Sequence, residues 1–177
     1  MNYKDEMVKA MKMLAQDSRT LFIGQSVRWS GHIIFDTLED AKVPMNKRYE
    51  LPVFEDSQLG ISTGLALGGF IPISIYPRMD FLIIAMNQLV NHLDKMNEMS
   101  CGQFKPKVII RTMVGSKTPL NPGPQHCQNH IEGLRKMLTN IDIHCLNSAD
   151  IVLFSYLQAL ESPRSSILVE FGDLYSD

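Results

Sequence analysis

The chain has little that would place it in a membrane or on a nucleic acid. Its longest wholly apolar run, Phe81 to Met86, is far shorter than a membrane span. No block of lysine or arginine stands out, and the formal net charge is only -2. Nucleic acid and anionic membrane are therefore poor partner expectations. The opening "MNYKDEMVKAMKML" mixes both charge signs and lacks the apolar centre of a secretory signal. Cys101, Cys127 and Cys145 are odd in number and form no CxxC motif, which reads as reduced thiols in a cytoplasmic protein. Cys127 follows His126, but sequence neighbours rarely hold nucleophile–base geometry, and no third orienting residue is evident. The five histidines show no metal-ligand spacing such as HExxH. His144 and Cys145 fall in a predicted strand, where neighbours point to opposite faces. No GxGxxG follows the first strand and no GxxxxGK[ST] occurs, so Rossmann and P-loop sites are unsupported.

What is present is alternation. The 177 residues, 45% apolar, suit one globular domain. A first helix is predicted over Lys4 to Gln16, with Met7, Ala10, Met11 and Leu14 on one face. "TLFIG" (Thr20–Gly24) reads as a buried strand, and a loop-rich stretch with Gly31, Pro44 and Asn46 follows. "ELPVF" is short and extended, with Pro52 at a strand start or edge. Glu55 to Gly69 reads as a Gly/Ala/Ser-rich helix. "IPISIY" is a strand, and Asp80 to Met99 a long helix with Asp80 as N-cap. "KVIIRTM" is the continuous apolar strand expected when both faces are buried. The Pro- and Gly-rich "VGSKTPLNPGPQHCQNH" is an irregular loop, and a long irregular loop in a compact domain is usually functional. "IEGLRKML" is helical, "IDIHCL" a strand, "SADIVLFSYLQALE" a helix capped by Ser148, and "SSILVEF" the last strand. This order implies an α/β fold of three α/β/α layers around a mostly parallel sheet of about six strands. Ligands bind such sheets outside the carboxyl ends of the strands. Glu55 and the loop around His126 both follow strands, and so belong to that edge.

The order of motifs resembles a known family. "ELPVFEDSQLGISTGLALGGFIP" is similar to the stretch around the catalytic glutamate in thiamine-diphosphate enzymes of the transketolase and 2-oxo acid dehydrogenase kind. The next stretch resembles the beta subunit of the pyruvate and branched-chain 2-oxo acid dehydrogenase decarboxylases. Its parts are Phe81, Asn87-Gln88-Leu89-Val90-Asn91, Lys95, Ser100-Cys101-Gly102 and Ile109-Ile110-Arg111. "GPQHCQNH" resembles that family's "AAQHSQ", and "SSILVEFGDLY" its "PVIFLEPKxLY". The likeness covers almost the whole chain in order.

The resemblance implies a single pyrimidine-binding domain over 1–177, in a split enzyme of 2-oxo acid decarboxylation and acyl transfer or of transketolase-like two-carbon transfer. It implies that Glu55 hydrogen-bonds the aminopyrimidine ring of thiamine diphosphate and activates the cofactor. Phe81 would stack on that ring, and His126 would lie near the reacting carbon. A carboxyl group and an imidazole suit these proton-handling tasks. Gln25 stands where the family usually has an acidic residue at the cofactor. Phe54 replaces a small or hydroxyl residue, and "SKTPLNPG" replaces a glycine-rich loop. Arg78 and Met79 stand where that family often has smaller or aromatic groups.

No GDG motif is present, since Gly172-Asp173 is followed by Leu174. The chain also stops where the family's C-terminal domain would begin. The resemblance therefore implies a partner, an alpha-type subunit that carries the diphosphate-binding domain and holds Mg2+, in a homo- or hetero-oligomer. Other readings stand beside these. A glutamate in a first helical turn complements the helix dipole, Phe81 fits a core, and a loop histidine is often solvated. A non-catalytic relative kept for assembly or regulation is the alternative function.

Overall fold

The computed structural model describes residues 2–118 and 121–176. Six strands form one sheet: β1 (Thr20–Gly24), β2 (Arg48–Glu50), β3 (Ile71–Tyr76), β4 (Ile109–Val114), β5 (Asp142–Leu146) and β6 (Ser166–Phe171). Their order is β2-β1-β3-β4-β6-β5, and every pairing is parallel. The α/β/α expectation therefore holds, with the sheet parallel throughout.

Parallel strands need crossovers, and the helices cover both faces. One face carries α1 (Tyr3–Gln16), α2 (Ile33–Asp40) and α7 (Ala149–Glu161). The predicted stripe of Met7, Ala10, Met11 and Leu14 is fully buried there, against Phe22, Ile73, Ile109 and Leu168. The other face carries α3 (Glu55–Leu67), α4 (Met79–Leu82), α5 (Met96–Met99) and α6 (Ile131–Met137). There Leu59, Leu82, Leu89 and Leu134 pack on Tyr76, Ile110, Ile167 and Val169. β3 is buried along its whole length, as expected of a mostly apolar strand inside a parallel sheet covered on both faces.

Four local expectations need correction. The loop-rich stretch after β1 contains α2, whose buried face is Ile34, Thr37 and Leu38. Its N-cap is His32, whose Nδ1 accepts from the Ile34 N–H at 3.2 Å, an unusual capping residue that hides the helix start. The strand near "ELPVF" is instead Arg48–Glu50. Leu51 N–H still donates to the Gly24 carbonyl at 2.8 Å, but Pro52 has no N–H with which to continue the ladder. The long helix over Asp80 to Met99 is not regular. After α4 come a 3-10 turn (Ile83–Ala85), a π-helical turn (Asn87–Leu93) and α5. Leu82, Ala85, Leu89 and Leu93 keep a helical spacing throughout, so apolar periodicity cannot distinguish these turns. Arg78 is the N-cap there; Asp80 lies in the first turn. Ser148 does occupy the N-cap of α7, though its side chain makes no capping hydrogen bond.

Gly24 ends β1 at φ +141°. A Cβ there would run into the Ile75 carbonyl and sit 2.7 Å from Gln58 Nε2. Gly24→Ala is therefore expected to destabilise the fold by about 2–4 kcal/mol, from backbone strain plus overpacking. Urea unfolding checks this, and an unchanged midpoint would refute it.

Across the described residues, no helix is long and apolar enough to cross a membrane. None of their His, Cys, Asp and Glu side chains form a group of three or more that could hold a metal ion.

Candidate functional site

Because every strand is parallel, the segments after β1, β2, β3 and β4 emerge at one edge. Gln25, Glu55, Phe81 and His126 all lie on these segments. The site is therefore a product of topology.

Glu55 is the first residue of α3 and is only 2% exposed. Among the described residues, no donor reaches its carboxylate. Its backbone carbonyl accepts from the Tyr76 hydroxyl at 3.4 Å. Phe54, which precedes it, is 39% exposed, so its ring is turned partly to the surface.

Below Glu55 runs a buried chain of polar groups. Gln25 Nε2 donates to Gln58 Oε1 at 2.7 Å and to the Pro52 carbonyl at 3.3 Å. Gln58 Nε2 donates to the Ile75 carbonyl at 2.9 Å and to Ser74 Oγ at 3.2 Å. Ser62 donates to Ser74 at 3.0 Å, and Ser74 lies 3.3 Å from the Tyr76 hydroxyl. Burial, above all other influences, raises the Tyr76 hydroxyl well above its usual value, so it stays a donor. The loop that carries Gln25 is held by Glu50, whose carboxylate accepts from the N–H groups of Ser26, Val27 and Arg28 at 2.7–2.8 Å. Sequence reasoning missed Glu50, Gln58 and Tyr76. One signal was available for Gln58: it lies one helical turn from Glu55 on the same face of α3.

Phe81 and His126 meet directly. Their ring centroids are 5.3 Å apart at an interplanar angle of 81°, an edge-to-face contact. His126 ends a short 3-10 turn, Pro124–His126, in the predicted functional loop; Pro119 and Leu120 of that loop lie outside the described residues. Its Nδ1 is buried with no hydrogen-bond partner among the described residues. Arg78 Nη1 donates to the His126 carbonyl at 3.0 Å and to the Gly115 carbonyl at 2.9 Å. Asp80 Oδ1 accepts from Gln128 N–H at 3.2 Å and from its side-chain amide at 3.1 Å. The His126 loop is thus tied to the end of β3 on both sides of the histidine. Cys127 instead donates to the Ser116 carbonyl at 3.5 Å.

Phe81 and His126 are thus in contact, and Glu55 stands at the same edge of the sheet. No family model matches the chain. It is 26% identical over 167 residues to the pyruvate dehydrogenase E1 component subunit beta of Mycoplasma genitalium, covering 92% of this chain and 49% of that protein. It is 30% identical over 100 residues to the 3-methyl-2-oxobutanoate dehydrogenase subunit beta of Mycobacterium tuberculosis, covering 55% of this chain and 28% of that protein. The chain thus spans half or less of the length of these relatives. Its fold matches a split-gene transketolase, solved as an inactive beta4 tetramer, with a TM-score of 0.73 at 16% identity over 97% of this chain and 51% of that one. It also matches transketolase from Campylobacter jejuni, with a TM-score of 0.72 at 15% identity over 96% of this chain and 25% of that one. The chain is a homologue of the beta subunits of 2-oxo acid dehydrogenases, and it has the transketolase fold.

Proposed function

We propose that the chain is the pyrimidine-domain subunit of a split thiamine-diphosphate enzyme. The reaction is decarboxylation of a 2-oxo acid with acyl transfer, or two-carbon transfer of the transketolase kind. The observation that carries this reading is Glu55. The residue is only 2% exposed and no donor among the described residues occupies its carboxylate, which leaves that carboxylate free to accept a hydrogen bond from a donor on a ligand. The aminopyrimidine of thiamine diphosphate brings such donors, and the residues present fit it.

When bound, thiamine diphosphate supplies a carbon nucleophile for a keto group. In this reading Glu55 holds or shares a proton with the ring nitrogen, and the dry edge strengthens that interaction. Phe81 offers its ring to the flat heterocycle. His126, fixed by the ties at Arg78 and Asp80, presents its unpartnered Nδ1 for proton transfer to substrate or acyl group. Gln25 is a neutral amide committed to Gln58 and Pro52, which supports a positioning role over a charged one.

The diphosphate and Mg2+ fall to a partner of alpha type. Trp29, Val53 and Phe54 are exposed at the same edge as Glu55, an apolar rim suited to such a partner. Calorimetry with thiamine diphosphate and magnesium, on this chain with and without the partner, tests the reading. Binding should be strong only with both chains present. A reconstituted pair that binds no cofactor would favour a non-catalytic assembly subunit, the second reading that Phe54 and Gln25 support.

A further inference from the structure

A cavity of about 380 Å³ opens where β4 and β6 end, bounded by the start of α2 and the turn after β6. Its walls include His32, Arg78, Ser116 and Ser176, and Arg78 is the only charged residue described in them. Two of the nearby acids are held by other groups. Asp173 Oδ1 accepts from the Lys117 N–H at 2.9 Å and the Thr118 hydroxyl at 3.2 Å. Glu170 is taken up by Arg111, Tyr156 and Tyr175.

The donors that face the cavity are held in place. Arg78 Nη1 is fixed by the Gly115 and His126 carbonyls, while its Nε and Nη2 have no partner among the described residues. His32 accepts at Nδ1 from the Ile34 N–H, which puts the ring proton on Nε2. Burial first, then the charges of Arg78 and Arg111, depresses the His32 pKa to about 4. The ring is therefore neutral at pH 7, with Nε2–H as a donor.

We propose that this cavity binds the anionic end of a small molecule, a carboxylate or a phosphate, between the Arg78 guanidinium and the His32 Nε2–H, with the Ser116 and Ser176 hydroxyls beside them. A guanidinium fork matches the oxygen spacing of both anions. His32 is half-buried, and partial withdrawal from water strengthens a charge-assisted bond there. The site does not rest on the reading of Glu55.

The test uses the whole chain alone, titrated separately with inorganic phosphate and with pyruvate, against sodium chloride as the control for ionic strength. Amide NMR signals of Gly31, Ile33, Gly115 and Ser116 are followed. Saturable shifts with a Kd of about 1–10 mM are expected for at least one anion. Response to phosphate alone identifies a phosphate-bearing ligand, and response to pyruvate alone a carboxylate. Arg78→Gln should weaken binding at least about tenfold, the loss expected for a charge-assisted pair. Because Arg78 also ties down the His126 loop, His32→Asn is the second variant. Asparagine still caps α2 but has no ring N–H, and should weaken binding about threefold. No saturable shift with either anion overturns the proposal, as does wild-type affinity in both variants. Neither thiamine diphosphate nor the partner takes part, so this outcome and that of the Glu55 reading are separable.

Discussion

On the proposed reading, Glu55→Gln is expected to lower the turnover of the chain reconstituted with an alpha-type partner by about 10²–10⁴-fold, the range for loss of a positioned proton-transfer group. The substitution keeps shape and size at a residue that is 2% exposed, so packing survives. It replaces a group that can hold a proton with an amide that cannot. Binding of thiamine diphosphate falls less, by about tenfold to a hundredfold, because only the ring contact is altered and one bond to a charged group is worth about 1.5–3 kcal/mol. Turnover and calorimetric affinity measured on the same preparation separate the two effects. Full turnover in the variant would end the assignment of Glu55 to catalysis. Equal losses in both would make it a binding residue only.

The second large effect lies beneath the sheet, on the α1–α2–α7 side. Arg111 on β4 and Glu170 on β6 are both fully buried and form an ion pair. Arg111 also donates to Thr37 Oγ1 at 3.0 Å and contacts Met11 Sδ at 3.4 Å. Glu170 accepts from the Tyr156 hydroxyl at 3.2 Å and from the Tyr175 hydroxyl at 2.6 Å. Burial, and then the Glu170 carboxylate, raises both tyrosines well above their usual value, so both remain donors. Arg111→Met leaves a buried carboxylate without its cation, and Glu170→Leu leaves a buried guanidinium without its anion. Each is expected to destabilise the fold by about 3–5 kcal/mol. The double variant is expected to lose less than the sum of the two, because no uncompensated charge is left. It still falls short of wild type, since the Thr37, Tyr156 and Tyr175 hydroxyls lose partners. Urea midpoints of the four proteins give the coupling. Additive losses would show that the pair is not a unit.

Much of the architecture is legible in local pattern. Strands such as "IPISIY" and "KVIIRTM" carry apolar residues on both faces, which a sheet covered on both sides accommodates. The α1 stripe is legible because one helical period places Met7, Ala10, Met11 and Leu14 together. The α2 helix is not, because its cap is a histidine and glycine and proline flank it. The break-up of Asp80 to Met99 is not either, because the buried leucines keep one spacing through every type of turn.

The candidate site divides the same way. The sequence by itself determined that a carboxylate stands at a strand-to-helix junction, that an aromatic and a loop histidine follow later strands, and that all belong to one edge of a parallel sheet. Those are properties of neighbours in the chain and of strand direction. Tertiary structure decided which of them touch. Phe81 reaches His126 only because β3 and β4 are adjacent in the strand order. Gln25 is hydrogen-bonded to Gln58 only because β1 lies beside β3 under α3. Arg78 meets the His126 loop and a cavity at once for the same reason. Contacts between residues far apart in sequence depend on strand order and helix placement, which the burial of both sheet faces selects for the chain as a whole and which no local pattern encodes.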